Sequence, residues 1–463
     1  MQSLRLVLIA TLALSCTPAS VPCATVAAKA AKEPPGPVHH VVVITIDGLL
    51  PESYTHPDAH GLAIPALRSI IARGAASDGA LSVFPTVTYP SHTSMTTGVN
   101  PGTHGIVGNH AFDPLGHDYG GWRWYAEETK RDPVWAIAER AGYHVALVQW
   151  PVTVGAHVSW LVPEYWRAKD DNDRKLLRAI STPGLLESVA AAHVDFWPRC
   201  APPDVHDDAL ADIATFVIER DKPTLTFLHL VGVDGAQHAH GLWSDEARAA
   251  IEEADRQVAR VMAALERVGM TKDTNVIVAS DHGFMNAPSM VEPCVLLRDA
   301  GLVTVKGERV VEWKAAMYPS SGSAYVYLQN PNDSATRDAA LAIFAEKARA
   351  PEKSGVARVY SPSDIATLGG DRDAAFAIEA TPGFQFGARC TGDYTAPAEY
   401  AAVHGYDPRR PEMRASLLMV GATVPHGAIR DAHLVDIGPT VALWLGLSMP
   451  NVDGKALVVT PAP

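Results

Sequence analysis

The feature of this sequence that most restricts its fold is a continuous run, HVVVITI at residues 40–46, which stops abruptly at Asp47-Gly48. A strand with so little polar character is typical of a parallel sheet that helices cover on both faces. Three later runs have the same character and also end at polar residues. They are Tyr143–Val148, Leu225–Val231 and Asn275–Ala279.

Helical patterns lie between these runs, at Pro65–Arg73, Asp132–Ala141 and Ser244–Val268, and another follows at Asp436–Gly446. Strands that alternate with helices predict an α/β fold with a largely parallel sheet. Residues 284–400 break this rhythm with short alternating runs and many Gly and Pro turns. We therefore expect an inserted cap subdomain there, within one folded domain at residues 39–458.

The N-terminal residues have the layout of a secretory signal, with Arg5 followed by an apolar run from Leu6 to Leu14. This run is too short to span a bilayer, which takes about 20 apolar residues. We expect a signal peptide at residues 1–24, a linker at 25–38, and a periplasmic or extracellular protein. Processing at Cys16, which would give a lipid anchor, stays open as an alternative.

Charge and cysteine content exclude several classes of function. The chain has 38 Lys and Arg against 51 Asp and Glu, a formal net charge of −13, which argues against binding a nucleic-acid polymer or an anionic membrane. Beyond the leader, only Cys200, Cys294 and Cys390 remain. They permit one disulfide at most and do not form a CxxC-type zinc site.

Acids and histidines follow the ends of the predicted strands. Asp47 closes the first run and Asp234 follows the third, with His238 four residues further on. Asp281 and His282 close the fourth run. Because the carboxyl ends of parallel strands meet at one edge of a sheet, we expect these side chains to converge there and to bind metal.

Residues 84–92, FPTVTYPSH, add hydroxyl groups to this list but no adjacent general base. A threonine hydroxyl is a weak nucleophile unless a base or a metal lowers its pKa. With carboxylates and imidazoles available to hold a metal, coordination of a threonine oxygen is the simplest way to activate it.

The order of these motifs resembles the nucleotide pyrophosphatase/phosphodiesterase family of the alkaline phosphatase superfamily. The matching motifs are IDG, FPTxTxPxHxxxxTGxxPxxHGIxxN, DxxxH, DHG and HGYD, and the resemblance covers residues 39–456. It implies an alkaline-phosphatase-like three-layer α/β/α sandwich, with residues 39–458 as a phosphodiesterase catalytic domain.

The resemblance also implies a role for each matching residue. Thr88 corresponds to a nucleophile that forms a phosphothreonine, and Asn109 to a donor to a phosphoryl oxygen. Tyr89 corresponds to an aromatic residue that lines the leaving-group pocket. Two Zn²⁺ ions are implied, although such sites also accept Mn²⁺ or Fe. The ligands of the first ion would be Asp47, Thr88, Asp281 and His282, and those of the second Asp234, His238 and His404.

One position departs from the family pattern and bears on the substrate. Many members carry an aromatic residue that helps to hold a nucleobase where this chain has His229. We expect a small phosphate diester or pyrophosphate, such as a nucleotide, as substrate, with His229 in the substrate-binding position. A phosphomonoester or phosphonate hydrolase and a non-catalytic phosphate-binding protein remain alternatives, and the oligomeric state stays open.

Overall fold

The fold was analysed in a computed structural model of the chain, which describes residues 38–117, 121–165, 171–201 and 204–461. The predicted signal peptide and all but the last residue of the predicted linker lie outside these ranges. Within them, no helix combines the length and the apolar character that crossing a membrane requires.

A nine-stranded sheet lies at the centre of the described fold. In spatial order its strands are Val459–Pro461, Gly427–Ile429, Ala75–Ala76, Leu417–Gly421, Thr274–Ala279, His40–Ile46, Leu225–Leu230, Val145–Val148 and Trp160–Val162. The last five are mutually parallel, and four of them are the strands that the apolar runs predict. Leu417–Gly421 is antiparallel to Thr274–Ala279 and ends the parallel block.

Helices cover both faces of this sheet, as its apolar strands require. In the central strand, Val42 and Ile44 belong to one hydrophobic cluster, whereas Val41 and Val43 belong to another. The first cluster includes residues of helices Pro65–Arg73, Asp171–Ile180, Leu185–Ala192, Asp207–Asp221 and Asp245–Arg267. The second includes residues of Thr88–Thr97, Val134–Arg140 and Ile437–Trp444. The predicted three-layer α/β/α architecture is confirmed.

Local chemistry sets the ends of the predicted helices. Ser244 caps the helix Asp245–Arg267 by accepting a hydrogen bond from the Ala247 N–H at 3.1 Å, as N-cap serines do. The predicted helix at Asp132–Ala141 is shorter, Val134–Arg140, because Pro133 has an extended backbone with ψ of 153°. The other described α-helices are Glu52–Thr55, Pro101–His104, Phe196–Arg199, Gly232–His240, Cys294–Asp299, Ser334–Lys347, Pro351–Ser354 and Pro362–Thr367.

A second, antiparallel sheet of four strands lies within residues 284–400. Its order is Ala315–Pro319, Ser323–Leu328, Phe376–Ala380 and Val356–Tyr360. Although the sequence of its second strand alternates, the strand is buried on both sides. Ala324 and Val326 pack in one cluster with Phe344 of Ser334–Lys347, while Tyr325 packs in another with Phe84. The second sheet therefore contacts the segment that carries the predicted nucleophile.

Shorter elements complete the described fold. Strand pairs or triplets form from Cys200–Ala201 with Asp204–Val205, Met285–Asn286 with Ala402–Val403, Val303–Lys306 with Arg309–Trp313, and Ser289–Val291 with Phe384–Phe386 and Thr395–Pro397. The 3₁₀ turns are Pro57–His60, Ala126–Glu128, Thr271–Asp273, Pro411–Met413 and Leu434–Asp436.

The structure also shows how the three cysteines are used. Cys294 and Cys390 form a disulfide, so a bridge links the start and the end of the region that contains the second sheet. Cys200 is a buried thiol. Burial raises the pKa of this thiol to about 12, which keeps it protonated and unreactive at neutral pH.

Candidate active site

A first cluster of potential metal ligands, Asp47, Asp281 and His282, forms where the ends of two neighbouring strands meet at the carboxyl edge of the main sheet. The His282 Nε2 lies 3.1 Å from the Asp281 Oδ2 and 3.4 Å from the Asp47 Oδ1. The backbone turns sharply at Gly48, whose φ is +67° and whose N–H donates to the Asp281 Oδ1 at 3.1 Å. A side chain at Gly48 would also collide with Phe284, so glycine is required there.

The electrostatics of this first cluster favour a cation. Burial, together with the negative charges of Asp281 and Asp234, raises the pKa of the Asp47 carboxyl well above its usual value. Burial opposes a charge on His282 as well, but the carboxylates of Asp281 and Asp47 outweigh it and raise the pKa of His282 to about 9. Two buried carboxylates this close need positive charge between them.

A second cluster is formed by Asp234, His238 and His404. Asp234 and His238 lie one turn apart on the helix Gly232–His240, and the Asp234 Oδ1 is 3.4 Å from the His238 Nε2. The His404 Nε2 lies 3.7 Å from the same oxygen. The Asp234 side chain is 22% exposed, whereas that of Asp281 is fully buried, so the second cluster is the more open of the two.

The donor atoms of both clusters fit bound metal. Among the described residues, buried polar atoms without a hydrogen-bond partner include the Asp47 Oδ1, Asp234 Oδ1, Asp281 Oδ2 and His282 Nε2. The Nδ1 atoms of the three histidines instead contact the backbone carbonyls of Ala402, Gly283 and Thr86. This arrangement leaves each Nε2 directed into its cluster, as in histidines that ligate a metal.

The two clusters are in direct contact with each other. The rings of His282 and His404 stack with centroids 3.7 Å apart and an interplanar angle of 11°. His404 has a pKa well below its usual value because of burial and the nearby His282 and His238. A neutral imidazole is the form that ligates a metal, so this direction suits a ligand.

Thr88 is the first residue of the helix Thr88–Thr97, which is buried along its whole length. Its backbone carbonyl accepts a hydrogen bond from the His92 Nδ1 at 2.9 Å, and this nitrogen lies 3.8 Å from the Asp281 Oδ2. Ser82, which precedes this helix in the chain, also donates a hydrogen bond to the Asp281 carbonyl at 2.6 Å. The start of this helix, whose dipole favours negative charge, therefore lies beside the first cluster.

Asn109 and Tyr89 flank the start of this helix. The Asn109 Oδ1 accepts the Tyr89 N–H at 2.9 Å, which leaves the amide NH₂ as the end of the side chain that can donate. The Tyr89 ring is fully buried and meets Trp122 edge-on, with centroids 5.2 Å apart. Tyr89 thus forms part of a packed aromatic wall in the described structure.

The structure places His229, which is predicted at the substrate-binding position, inside the main sheet beside Asp47. It is fully buried in the strand Leu225–Leu230, and its Nε2 is 3.0 Å from the Asp47 Oδ2. Its Nδ1 lies 3.2 Å from the Gln149 carbonyl and 3.6 Å from the Glu164 Oε2. Burial alone would lower the pKa of His229, but its hydrogen bond with Asp47 and the nearby carboxylate of Glu164 raise it well above the usual value. His229 therefore orients the Asp47 carboxylate from the neighbouring buried strand.

Thr86 and Gly405 join the threonine segment to the segment that carries His404. The Thr86 hydroxyl donates to the Tyr406 carbonyl and accepts the Gly405 N–H, each at 3.0 Å, while the Thr86 carbonyl contacts the His404 Nδ1 at 2.8 Å. Gly405 has a φ of +92°, and a Cβ there would come within 1.7 Å of the Ser320 carbonyl oxygen. Sequence reasoning missed this role of Thr86.

The fold and the paired ligand clusters define the class, an α/β protein of the alkaline-phosphatase-like type with two candidate metal sites at the carboxyl edge of its sheet. A family model described as type I phosphodiesterase / nucleotide pyrophosphatase matches residues 41–407. The chain belongs to this family, as its motifs predict.

Similar proteins agree with this assignment. Ectonucleotide pyrophosphatase/phosphodiesterase family member 1 of Mus musculus is 22% identical over 253 residues, which cover 52% of this chain and 24% of the mouse protein. A bis(5'-adenosyl)-triphosphatase of Bos taurus is 24% identical over 221 residues, covering 47% of this chain and 43% of the relative. The match thus spans less than half the length of these curated relatives.

Solved structures share the fold over most of the chain. Human ectonucleotide pyrophosphatase / phosphodiesterase 5 has a TM-score of 0.64 and 18% sequence identity, with 90% of this chain and 97% of the human chain covered. The murine protein, as an inactive variant in complex with AMP, has a TM-score of 0.62, 21% identity and the same coverage.

The structure predicts that Thr86→Val lowers stability although the two side chains have the same shape. The substitution leaves the buried Gly405 N–H and Tyr406 carbonyl without the hydroxyl, which costs about 1–3 kcal/mol in the free energy of unfolding. Thr97→Val is the control, because the Thr97 hydroxyl donates only to the Thr93 carbonyl of its own helix. Equal denaturation midpoints for the two variants would contradict the bridging role of Thr86.

Proposed function

We propose that the protein is an exported, metal-dependent phosphodiesterase or nucleotide pyrophosphatase that acts through a covalent phosphothreonine. The observation that carries this proposal is the position of Thr88 at the start of a buried helix beside two contacting ligand clusters. Family membership and the printed activities of the relatives support it, as does the AMP complex of the murine structure. The predicted leader supports export to the periplasm or the extracellular space.

In the proposed reaction, the deprotonated Thr88 Oγ1 attacks phosphorus in line with the bond that breaks. The leaving alcohol or phosphate departs with the bonding electron pair and takes up a proton. Water then attacks the phosphothreonine, so that the P–O bond to Thr88 breaks, the hydroxyl is restored and a phosphate monoester is released. This second step accounts for turnover without any further reactant.

The two clusters would hold the metal ions, with Zn²⁺ as the proposed pair and Mn²⁺ or Fe as alternatives. Mixed carboxylate and imidazole ligands suit Zn²⁺. When bound, a pair of such cations lowers the pKa of a nucleophilic oxygen and stabilises the charge of the attacking and leaving oxygens. The Thr88 side chain would add a ligand to Asp47, Asp281 and His282.

Asn109 would stabilise the charge that develops on the phosphoryl group. Because its carbonyl oxygen is held by the Tyr89 N–H, its NH₂ is the group that can donate to a phosphoryl oxygen. A donor fixed in place before the reaction stabilises the transition state without reorganising. The hydrogen bond to Tyr89 therefore fixes the direction in which the Asn109 amide group can donate.

The charges at the site lead us to predict that a diester is hydrolysed better than the matching monoester. In the described residues, the carboxylates of the ligand clusters pair with histidines and not with Lys or Arg, so these pairs supply no additional permanent cation for the second negative charge of a monoester. The measurement is kcat/KM for methyl 4-nitrophenyl phosphate and for 4-nitrophenyl phosphate on one preparation. A higher kcat/KM for the monoester would mean that the protein is a phosphomonoesterase and not a diesterase. No turnover on a broad panel of phosphate esters would favour a non-catalytic phosphate-binding protein.

Substitutions at Thr88 test the covalent step. Thr88→Ala should abolish most turnover, because losing a nucleophile costs many orders of magnitude, whereas Asn109→Ala should lower kcat on the order of 10²–10³-fold. Thr88→Ser should keep part of the activity, since a hydroxyl survives. Thr97→Ala, on the same helix and without a role in the site, should have the parent rate.

Rapid quenching distinguishes the covalent mechanism from direct attack by water. With a phosphodiester labelled in the part that stays on phosphorus, the label should appear on the peptide that contains Thr88. An unlabelled peptide, together with near-parent rates for Thr88→Ala, would contradict the phosphothreonine step. The proposed metal site and the hydrolase activity would not be affected by that result.

Metal analysis is expected to find two ions per chain, and His229 should affect one of them. The variant His229→Leu lacks the hydrogen bond to Asp47. Its affinity for one of the two metal ions should fall by about 10–100-fold, which is the usual effect of losing a group that orients a metal ligand. Titration of the metal-free protein measures both affinities, and His229→Gln tests whether a donor restores the loss. The control is His240→Ala, an exposed residue of the helix that carries His238. Unchanged metal affinities in His229→Leu would contradict this role.

A further inference from the structure

A cavity of about 420 Å³ lies between the segment that follows Asn109 and the second sheet. Its walls include Phe112, Met317, Tyr318 and Phe386, and the disulfide of Cys294 with Cys390 forms another side. None of the roles given above uses these residues. The cavity is therefore available for a part of the substrate that does not react.

The cavity borders the candidate active site at two places. Tyr400 lines it, and the Tyr400 ring lies 4.6 Å from the ring of His238 in the second cluster. At the other side, His110 lines the cavity directly after Asn109 in the chain. The Tyr318 hydroxyl donates to the His110 carbonyl and accepts its N–H, which fixes this segment against the second sheet.

The direction of an in-line displacement relates the cavity to one part of the substrate. The group that leaves must lie opposite the attacking oxygen, and Thr88 lies beside the first cluster. The leaving group would therefore extend past the second cluster, where the Tyr400 ring contacts His238 and also lines the cavity.

The chemistry of the walls selects the leaving group. Among the described residues that line the cavity, the only formally charged ones are Asp113 and Glu399, and none is Lys or Arg. The remaining surface is mostly aliphatic and aromatic carbon. A pyrophosphate or nucleotide leaving group would bring negative charge into an acidic, apolar space, which is unfavourable.

We infer that this cavity binds the leaving group and that the leaving group is an apolar alcohol without negative charge. The inference rests on the proposed phosphodiesterase function and narrows it, because it favours a phosphate diester over a pyrophosphate. It also assigns a task to the second sheet, which supplies Met317 and Tyr318 to the cavity. Binding there would contribute to specificity in proportion to the apolar area that the alcohol buries.

The test uses methyl aryl phosphates whose phenols have matched pKa values, so that the leaving groups differ in size and charge but not in reactivity. One phenol carries a butyl group, one a carboxylate, and one neither. For the full-length protein we expect kcat/KM to be at least about tenfold higher for the butyl compound than for the unsubstituted one. The carboxylate compound should be the poorest substrate of the three.

A pair of neighbouring valines supplies the matched variants. Val310 lines the cavity, whereas Val311 on the same strand, Arg309–Trp313, is 45% exposed to solvent. Val310→Lys should lower kcat/KM for the butyl compound and raise it for the carboxylate compound. Val311→Lys adds the same charge outside the cavity and should leave all three values unchanged. Val310→Trp, which fills the cavity without adding charge, should lower kcat/KM for the butyl compound alone.

The outcomes separate this inference from the proposed function. If the parent hydrolyses all three diesters at equal rates and the Val310 variants match Val311→Lys, the cavity assignment is overturned while the phosphodiesterase stands. If the carboxylate compound is preferred, the charge argument is wrong. If none of the diesters is hydrolysed by the metal-loaded protein, the proposed function fails and this inference fails with it.

Discussion

The mutual repulsion of three aspartates at one edge of the sheet is the constraint on which the rest of the site depends. Asp47 is fully enclosed beside Asp281, and its pKa is raised first by burial and then by the charges of Asp281 and Asp234. Burying like charges this close is unfavourable unless positive charge is supplied. The surrounding histidines can supply part of that charge, but His404 and His92 have lowered pKa values and stay neutral. Metal ions are the remaining source that fits the donor atoms.

The same requirement explains how the segments around the site are held. The candidate metal ligands come from positions 47 to 404, so their relative positions depend on contacts between residues that are distant in sequence. Thr86 supplies such a contact by hydrogen bonding to the segment of Gly405 and Tyr406, and Ser82 supplies another by donating to the Asp281 carbonyl. The second sheet adds the Tyr325 hydroxyl, which donates to the Phe84 carbonyl at 3.2 Å. The threonine segment is thereby fixed on both sides before any ligand binds.

An element of this fold can be predicted from the sequence only where its pattern of apolar and polar residues is long enough to be recognised. Four of the five parallel strands are predictable because each lies in an apolar run, whereas the fifth, Trp160–Val162, has only three residues. Asp47, Asp281 and His282 are predictable because they follow such runs. Strands as short as Ala75–Ala76 carry no period that could be recognised. His404 follows the two-residue strand Ala402–Val403, so only its resemblance to a family motif indicates its place. Hydrogen bonds such as that of Thr86 join segments more than 300 residues apart and leave no local signal.

The surroundings of His229 show how a buried residue can act on the candidate site from inside the fold. His229 lies one residue before the end of a strand that is buried on both faces, and its Cα partner in the central strand is Thr45. A side chain there points into the protein, where an imidazole with acceptors at both nitrogens, the Asp47 carboxylate and the Gln149 carbonyl, is stabilised in its charged form. His229 thus places a protonated imidazole beside Asp47, which is a candidate metal ligand. The electrostatic environment of Asp47 therefore depends on a residue of the neighbouring buried strand as well as on the nearby candidate metal ligands.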